Sequence, residues 1–200
     1  EVHSASIRNL PPNLYNYLGN PVRLLRVFPY LKPHWGGTGM SVLHVHAPPG
    51  YYSRQVAGLL LVAPFSLYAL AAAAGLWRRR AGGASDAESE QTEAVRWLTG
   101  ILLAIAAVDF AVVQVFVVAS MRYEADFVPT LMLAAAFGLW GTIADRRRRG
   151  QAIFAAACLG LFLMAWTALA GLLLGVTSYH ARFEKLNPRL FKWLTDVFTP

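Results

Sequence analysis

The charged stretch at residues 120–129, SMRYEADFVP, lies between two long apolar runs and holds the side chains best suited to chemistry. Arg122 can pair with a neighbouring carboxylate or bind a lipid phosphate, because a guanidinium donates paired hydrogen bonds to phosphate oxygens. Tyr123 beside it suits the headgroup level of a membrane.

Two carboxylates follow the arginine and allow two interpretations. Asp126 precedes an apolar run that has Pro129 in its first turn, a pattern typical of a helix cap that accepts hydrogen bonds from free N–H groups. Alternatively, the pair Glu124-x-Asp126 is a candidate ligand set for a divalent cation, the one cofactor that the sequence suggests. Because a cap accounts for half of this pair, no resident metal is predicted.

Other polar residues stand within or beside apolar runs. Asp109 lies in the middle of one, where an ionisable side chain costs free energy unless it is paired or faces a cavity. It is either a polar intramembrane site or a partner in an interhelical hydrogen bond, whereas Gln114 more simply forms a helix–helix contact. His44 and His46 would share one side of a strand and could bind a metal, but no third ligand is near. Cys158 is predicted to be a buried, inert thiol.

The composition is that of an integral membrane protein. Of 200 residues, 56% are hydrophobic and 14% charged, and the mean hydropathy is +0.41, whereas soluble domains carry about 25% charged residues. A net charge of +7 would suggest nucleic acid in a soluble protein, but cations cluster beside apolar runs at 78–80 and 146–149. Such clusters indicate membrane topology, so membrane lipids are the expected partners and nucleic acid is not.

The elements that must position these residues are long helices. The predicted fold class is an all-α integral membrane protein with four transmembrane helices, an interfacial or extracytoplasmic N-terminal segment and an amphipathic C-terminal helix. Each run approaches the ~20 residues that cross ~30 Å of hydrocarbon. The predicted domains are the segment 1–54, a transmembrane domain at 55–177 and a tail at 178–200. Within the transmembrane domain, the four spans are predicted at 55–77, 96–119, 127–144 and 152–177, with loops at 78–95 and 145–151.

The arginine clusters predict the orientation of these spans. In a pair of two-helix hairpins both clusters fall on the same side, and that side should be cytoplasmic because short cytoplasmic loops are rich in Lys and Arg. The segments 1–54, 120–126 and 178–200 are then predicted to share the extracytoplasmic face.

Two Asn-Pro pairs predict the starts of short helices, since Asn is a frequent cap and Pro a frequent first helical residue. Asn20 would begin an amphipathic helix over VRLLRVF, and Asn187 would begin the helix of the tail. The tail helix has an apolar face and suits the membrane interface, with Trp193 at headgroup level. Packing of this helix onto the segment 1–54 is the alternative.

Three longer stretches carry a family resemblance, namely IRNLPPNLYNYLGNPVRLLRVFPYL, MRYEADFVPTLMLAAA and FEKLNPRLFKWL. Together they resemble the C-terminal half of bacterial polytopic membrane proteins of the GT-C glycosyltransferase type, which use polyprenyl-phosphate-linked sugars. The resemblance implies a bacterial plasma membrane and a polyprenyl-phosphate-linked sugar bound at the extracytoplasmic face. It also implies that Arg122 and Tyr123, with Arg54 as second choice, contact the lipid phosphate.

The same resemblance places the acidic catalytic residue in an upstream part of the full protein. The chain begins at Glu1 without a methionine, and we expect it to be the C-terminal part of a longer protein and inactive alone, with its catalytic residues unknown. Two other functions remain open. One is a non-catalytic membrane subunit or scaffold that binds a partner protein through 1–54 and the tail, and the other is a transporter component that uses Asp109.

Overall fold

The computed structural model describes residues 5–81 and 90–199 of the chain, so residues 82–89 of the predicted loop 78–95 lie outside the described residues. The chain is mostly helical, with seven α-helices among the described residues: α1 (Leu10–Leu14), α2 (Leu59–Val62), α3 (Tyr68–Ala81), α4 (Glu90–Gln114), α5 (Met121–Arg148), α6 (Phe154–Leu186) and α7 (Pro188–Phe198). Short 3-10 turns at Ile7–Asn9 and Pro64–Leu67 and a π-helical turn at Tyr15–Gly19 complete the helical part. The strands are β1 (Val22–Leu24), β2 (Leu31–Trp35), β3 (Tyr52–Ser53), β4 (Gln55–Val56) and β5 (Val118–Ala119).

Three helices among the described residues are long and apolar enough to span a membrane: Glu93–Gln114 of α4, Met121–Arg148 of α5, and Phe154–Thr177 of α6. They correspond to the second, third and fourth predicted spans. Their length and apolar composition are compatible with an integral membrane protein. The apolar stretch Pro64–Trp77 is shorter.

The first predicted span, 55–77, is wrong as a single helix. Residues 55–56 form β4, and the helix resumes only in the short α2 and again after Pro64. The Asn20 side chain donates to the Val56 carbonyl at 2.8 Å, and the Asn20 carbonyl accepts from Gly58 N–H at the same distance. Both contacts hold the chain extended up to Gly58, and Pro64 has no N–H to continue a helix.

The chain divides into two compact units. We call the first the mixed unit; it comprises 1–64, 112–124 and 165–200. Its three-stranded sheet has the order β1-β2-β4, with antiparallel pairs at Val22↔Pro33 and His34↔Val56. A second, two-stranded sheet pairs β3 with β5 in parallel. The prediction of a purely α-helical chain is therefore wrong for this unit, although the chain as a whole is mostly helical.

The core of the mixed unit gathers residues from distant parts of the chain. Leu31 and Ala57 pack with Ala170 and Leu174 of α6, and Met121 adds to this cluster. Trp166 Nε1 donates to the Leu61 carbonyl at 2.9 Å, which satisfies an acceptor in the short α2. The three segments predicted to share one membrane face thus contribute to one compact unit.

The predicted helix over VRLLRVF is also wrong. Val22–Leu24 form β1, and the chain then turns back through Phe28 and Pro29 into β2. The Leu25 N–H donates to the Tyr30 carbonyl at 2.7 Å and closes this turn. The Asn20-Pro21 pair therefore precedes a β-hairpin. The local sequence pattern predicted a helix because it does not show which strands will pair.

The second unit, which we call the helical unit, comprises Phe65–Ala111 and Ala125–Met164. Its core is formed by Phe65, Ala69, Ala134 and Ala135. Gly138 of α5 lies against the backbone of Tyr68 in α3: a β-carbon built on this glycine would stand 1.8 Å from the Tyr68 carbonyl oxygen. A glycine here lets two helices approach more closely than any side chain would allow.

Candidate functional site: two exposed arginines beside a buried polar network

Pairing of two short strands brings together the arginines predicted to bind phosphate. Strand β3 pairs in parallel with β5, with Tyr52 opposite Val118 and Ser53 opposite Ala119. The next residue after β3, Arg54, donates its backbone N–H to the Ala119 carbonyl at 2.9 Å. Helix α5 begins two residues after Ala119, so Arg122 stands in its first turn. The fold therefore places Arg54 and Arg122 at the same end of α5.

Both guanidinium groups are available to a ligand. Arg54 and Arg122 are exposed, and neither side chain makes an ion pair or hydrogen bond with the described residues. Tyr123 differs from them, because its ring packs against Phe116 with centroids 5.4 Å apart and is half-buried. The structure thus offers two exposed cations at this end of α5, one of which directly precedes an anchored aromatic residue in the chain.

The start of α5 overturns the predicted cap at Asp126. The helix begins at Met121, and Ser120 precedes it: the Ser120 Oγ accepts from Arg122 N–H at 3.4 Å and its carbonyl from Tyr123 N–H at 3.0 Å. Asp126 lies in the second turn and is exposed. Charged residues are compatible with a helical backbone, so this helix starts before the apolar run that was used to predict it.

The candidate cation pair Glu124-x-Asp126 is separated by the helix itself. Residues two apart on a helix diverge by roughly 200°, and Glu124 is buried whereas Asp126 is exposed. Among the described residues, no three His, Cys, Asp or Glu side chains form a group able to hold a metal ion. Glu124 Oε1 is buried without a hydrogen-bond partner in residues 5–81 and 90–199, so Glu124 belongs to the interior of the mixed unit.

A ladder of buried asparagines forms the interior next to this site. Asn9, Asn13, Asn16 and Asn20 are at most 2% exposed. The Asn13 Nδ2 donates to the carbonyls of Val113, Gln114 and Phe116 at 3.3, 2.8 and 2.8 Å, and Asn9 Nδ2 donates to Val115 at 2.9 Å. These carbonyls lie at the end of α4, where intrahelical donors run out.

Tyr51 links this ladder to the loop after β2. Its hydroxyl donates to Asn13 Oδ1 at 2.8 Å and accepts from Asn16 Nδ2 at 2.7 Å, while Asn16 Oδ1 accepts from Gly37 N–H at 2.6 Å. Burial raises the pKa of Tyr51 to about 12, although the hydrogen bond from Asn16 acts in the opposite direction. The phenol therefore remains a neutral donor at physiological pH.

Tyr17 joins the ladder to the start of α5. Its side chain is completely buried, and its hydroxyl accepts from Ser120 N–H at 3.3 Å. Burial raises the pKa of this phenol well above its ordinary value; the Ser120 amide opposes the rise and the charge of nearby Glu124 adds to it. A rigid polar interior thus supports the backbone from which Arg122 projects.

An open cleft of about 420 Å³ lies next to Arg54. Tyr52 and Ser53, the two residues before Arg54, line it together with Ser41, His44 and His46. The two histidines are not on a strand as predicted, since His44 ends a turn with a φ of 55° and His46 lies in the following loop. The lining offers hydroxyl, imidazole and aromatic groups to a polar ligand.

The remaining polar candidates lie elsewhere. Asp109 is half-buried on the part of α4 that belongs to the helical unit, and it has no hydrogen bond or ion pair with the described residues. Gln114 is buried in the mixed unit, and its amide oxygen and nitrogen have no hydrogen-bond partner among the described residues, so the helix–helix contact predicted for it stays a prediction. Cys158 is exposed rather than buried.

The asparagine ladder next to the site was not predicted from the sequence. The spacing of Asn9, Asn13, Asn16 and Asn20 repeats at three and four residues, which places polar side chains on one face of a helical stretch. This spacing is the feature of the sequence that could have indicated the ladder.

No known protein family, no curated protein and no solved structure matches the chain.

Proposed function

We propose that this chain is an integral membrane component that binds a polyprenyl-phosphate-linked sugar through Arg54 and Arg122. The observation that carries the proposal is that strand pairing places Arg54 and Arg122, both exposed and without an ion pair among the described residues, at the start of a helix able to span a membrane. The end of such a helix lies at headgroup level, where a partly desolvated cation binds phosphate well. In the first turn of α5, the positive end of the helix dipole adds to the attraction.

The neighbouring cleft supports the sugar part of the ligand. Tyr52, Ser53 and the two histidines line it, and Ser53 directly precedes Arg54 in the chain. A phosphate held by the arginine would place an attached sugar within reach of these hydroxyl and ring groups. In this proposal the chain holds the lipid-linked donor as part of a glycosyltransferase-like protein, and the catalytic residue is supplied from outside it.

A binding experiment tests the arginines directly. We expect the Arg54→Ala/Arg122→Ala variant to lose affinity for a short-chain polyprenyl monophosphate by about tenfold or more, since hydrogen bonds to charged groups contribute about 1.5–3 kcal/mol each. Native mass spectrometry or a photo-reactive polyprenyl phosphate measures this in detergent micelles. Arg147→Ala/Arg148→Ala is the matched control, because it removes the same two charges from the other end of α5.

The parent polyprenol, which lacks the phosphate, separates charge recognition from tail binding. Wild-type protein should bind the phosphate and not the alcohol. Equal binding of both lipids, or an unchanged affinity in the double variant, would refute the phosphate site. Recovery of a stoichiometric protein partner together with that result would support the scaffold function instead.

We further propose that the mixed unit faces away from the cytoplasm of a bacterial plasma membrane. The arginines at 146–149 form the last turn of α5 and the residue after it, and they favour a cytoplasmic junction between α5 and α6. The test is the reaction of single cysteines with a membrane-impermeant reagent in intact cells, after Cys158→Ser. Ser41→Cys should react, whereas Gly150→Cys and Ala81→Cys should react only after lysis; the reverse pattern would invert the orientation.

A further inference from the structure

Helix α7 carries two apolar faces, of which the protein uses one. Phe28, at the turn between β1 and β2, packs against Phe191 and Phe198 with ring centroids 6.1 and 5.7 Å apart. The Phe28 N–H also donates to Thr199 Oγ1 at 3.3 Å, and the Tyr30 hydroxyl donates to the Phe198 carbonyl. The tail is therefore docked on the segment 1–54, which was the alternative to a purely interfacial helix.

The other apolar face of α7 remains exposed. Leu190, Trp193 and Val197 are 47%, 58% and 54% exposed. Their spacing of three and four residues puts them on one side of the helix, within an arc of roughly 60°. Docking on Phe28 does not cover them, because Phe191 and Phe198 lie farther around the helix. An aromatic and two aliphatic side chains on one helix face are costly to leave in water.

Cations surround this face on both docked elements. Arg189 and Lys192 of α7 are exposed, and so are the cations of the β1–β2 hairpin. The hairpin also exposes two apolar side chains, Leu24 at 75% and Val27 at 48%. The hairpin cations are Arg23, Arg26 and Lys32. Over residues 22–35 and 188–198 the only carboxylate is Asp196. Five cations against one anion, mixed with exposed apolar side chains, complement a surface that is negative outside and apolar beneath.

We infer that α7 and the β1–β2 hairpin together form a docking surface for the anionic lipid headgroup layer of a bilayer, with Leu190, Trp193 and Val197 inserted below the headgroups. A lone cationic surface would bind any polyanion, but the exposed Trp and aliphatic face suit the acyl boundary. The candidate span of α6 ends at Thr177, so the bilayer is within reach of α7 along the same helix. This inference does not depend on lipid-phosphate binding at Arg54 and Arg122.

Spin labels on α7 test this surface in the full chain. In a Cys158→Ser background, labels at Leu190→Cys, Val197→Cys and Asp196→Cys are compared in nanodiscs of phosphatidylcholine with and without phosphatidylglycerol. The first two should be several-fold more accessible to oxygen than to a water-soluble nickel chelate, and Asp196→Cys should show the opposite ratio. Phosphatidylglycerol should deepen the first two labels.

Charge reversal checks the role of the cations. Arg189→Glu/Lys192→Glu should abolish the effect of phosphatidylglycerol while leaving the α7 helix docked, as judged by an unchanged melting temperature. Nickel-accessible labels at Leu190 and Val197 in both lipid mixtures would overturn the docking surface. Labels shielded from both reagents would overturn it too and would indicate a protein partner or a second copy. A lipid effect that survives charge reversal would overturn the electrostatic part.

Discussion

A Gly138→Ala variant is expected to lose about 3 kcal/mol or more of folding free energy, at the upper end of the cost of overpacking a core. The added β-carbon would meet the Tyr68 carbonyl oxygen at 1.8 Å, the Tyr68 carbonyl carbon at 2.8 Å and the Ala72 nitrogen at 3.0 Å. All three atoms belong to backbone, so no side chain can rotate away and α3 must move from α5. Thermal unfolding in detergent should show a drop of roughly 10 °C for a chain of this size.

The same helix provides the control, since Gly141 lies one turn further along α5. A β-carbon at Gly141 meets nothing within 4 Å. Gly141→Ala should therefore unfold at the wild-type temperature or slightly above it, because alanine is the better helix former by about 1 kcal/mol. Identical melting temperatures for the two variants would show that α3 and α5 do not approach each other as described.

An Asn13→Asp variant is expected to be the most damaging isosteric change in the mixed unit. The substitution keeps the shape of the side chain but replaces its Nδ2 donor by an acceptor. The carbonyls of Gln114 and Phe116 then lose this donor, Val113 keeps only its longer bond from Phe116 N–H, and an unpaired buried acceptor costs about 1–3 kcal/mol. The new carboxylate would also be completely buried, and burial disfavours its charged form. We expect little monodisperse protein after detergent extraction, measured by size-exclusion chromatography.

Asn187→Asp is the matched control for this change. Asn187 is exposed at the N-cap position of α7, where its side chain makes no capping hydrogen bond. The same chemical change there should leave the yield unaffected, since an aspartate before a helix is favourable. A normal elution profile for Asn13→Asp would contradict the described ladder.

The membrane helices were predictable because their signal is local. The run 152–177 is apolar throughout, and the structure places a helix with a candidate span at Phe154–Thr177. Helix ends were harder to predict. The charges at 122–126 suggested a boundary, yet α5 begins at Met121, because Ser120 supplies the cap and Glu124 is accommodated in the interior.

The mixed unit was not predictable because its partners are remote in sequence. Asn13 bonds to a carbonyl about 100 residues later, and a local pattern contains no trace of that partner. The phosphate candidate Arg122 was predicted from residue type and position beside an apolar run, and Arg54 was added only through the family resemblance. Their placement at one end of α5 depends on the pairing of β3 with β5. Strands of two residues are too short to be predicted from the sequence.

The hydrogen bonds between the asparagine ladder and the end of α4 have a consequence for counting membrane crossings. They bring the chain back, at 113–116, to the segment that it left at Pro64. A path that leaves one side of a bilayer and returns to it crosses an even number of times. If α4 crosses once, a second crossing must occur between Pro64 and Glu90. Pro64–Ala81 is the helical stretch available, and as a helix it reaches roughly 27 Å, just short of the hydrocarbon thickness. Parity, rather than hydropathy, is thus our reason to propose a fourth crossing, and labelling of the Ala81→Cys and Ser41→Cys variants tests it.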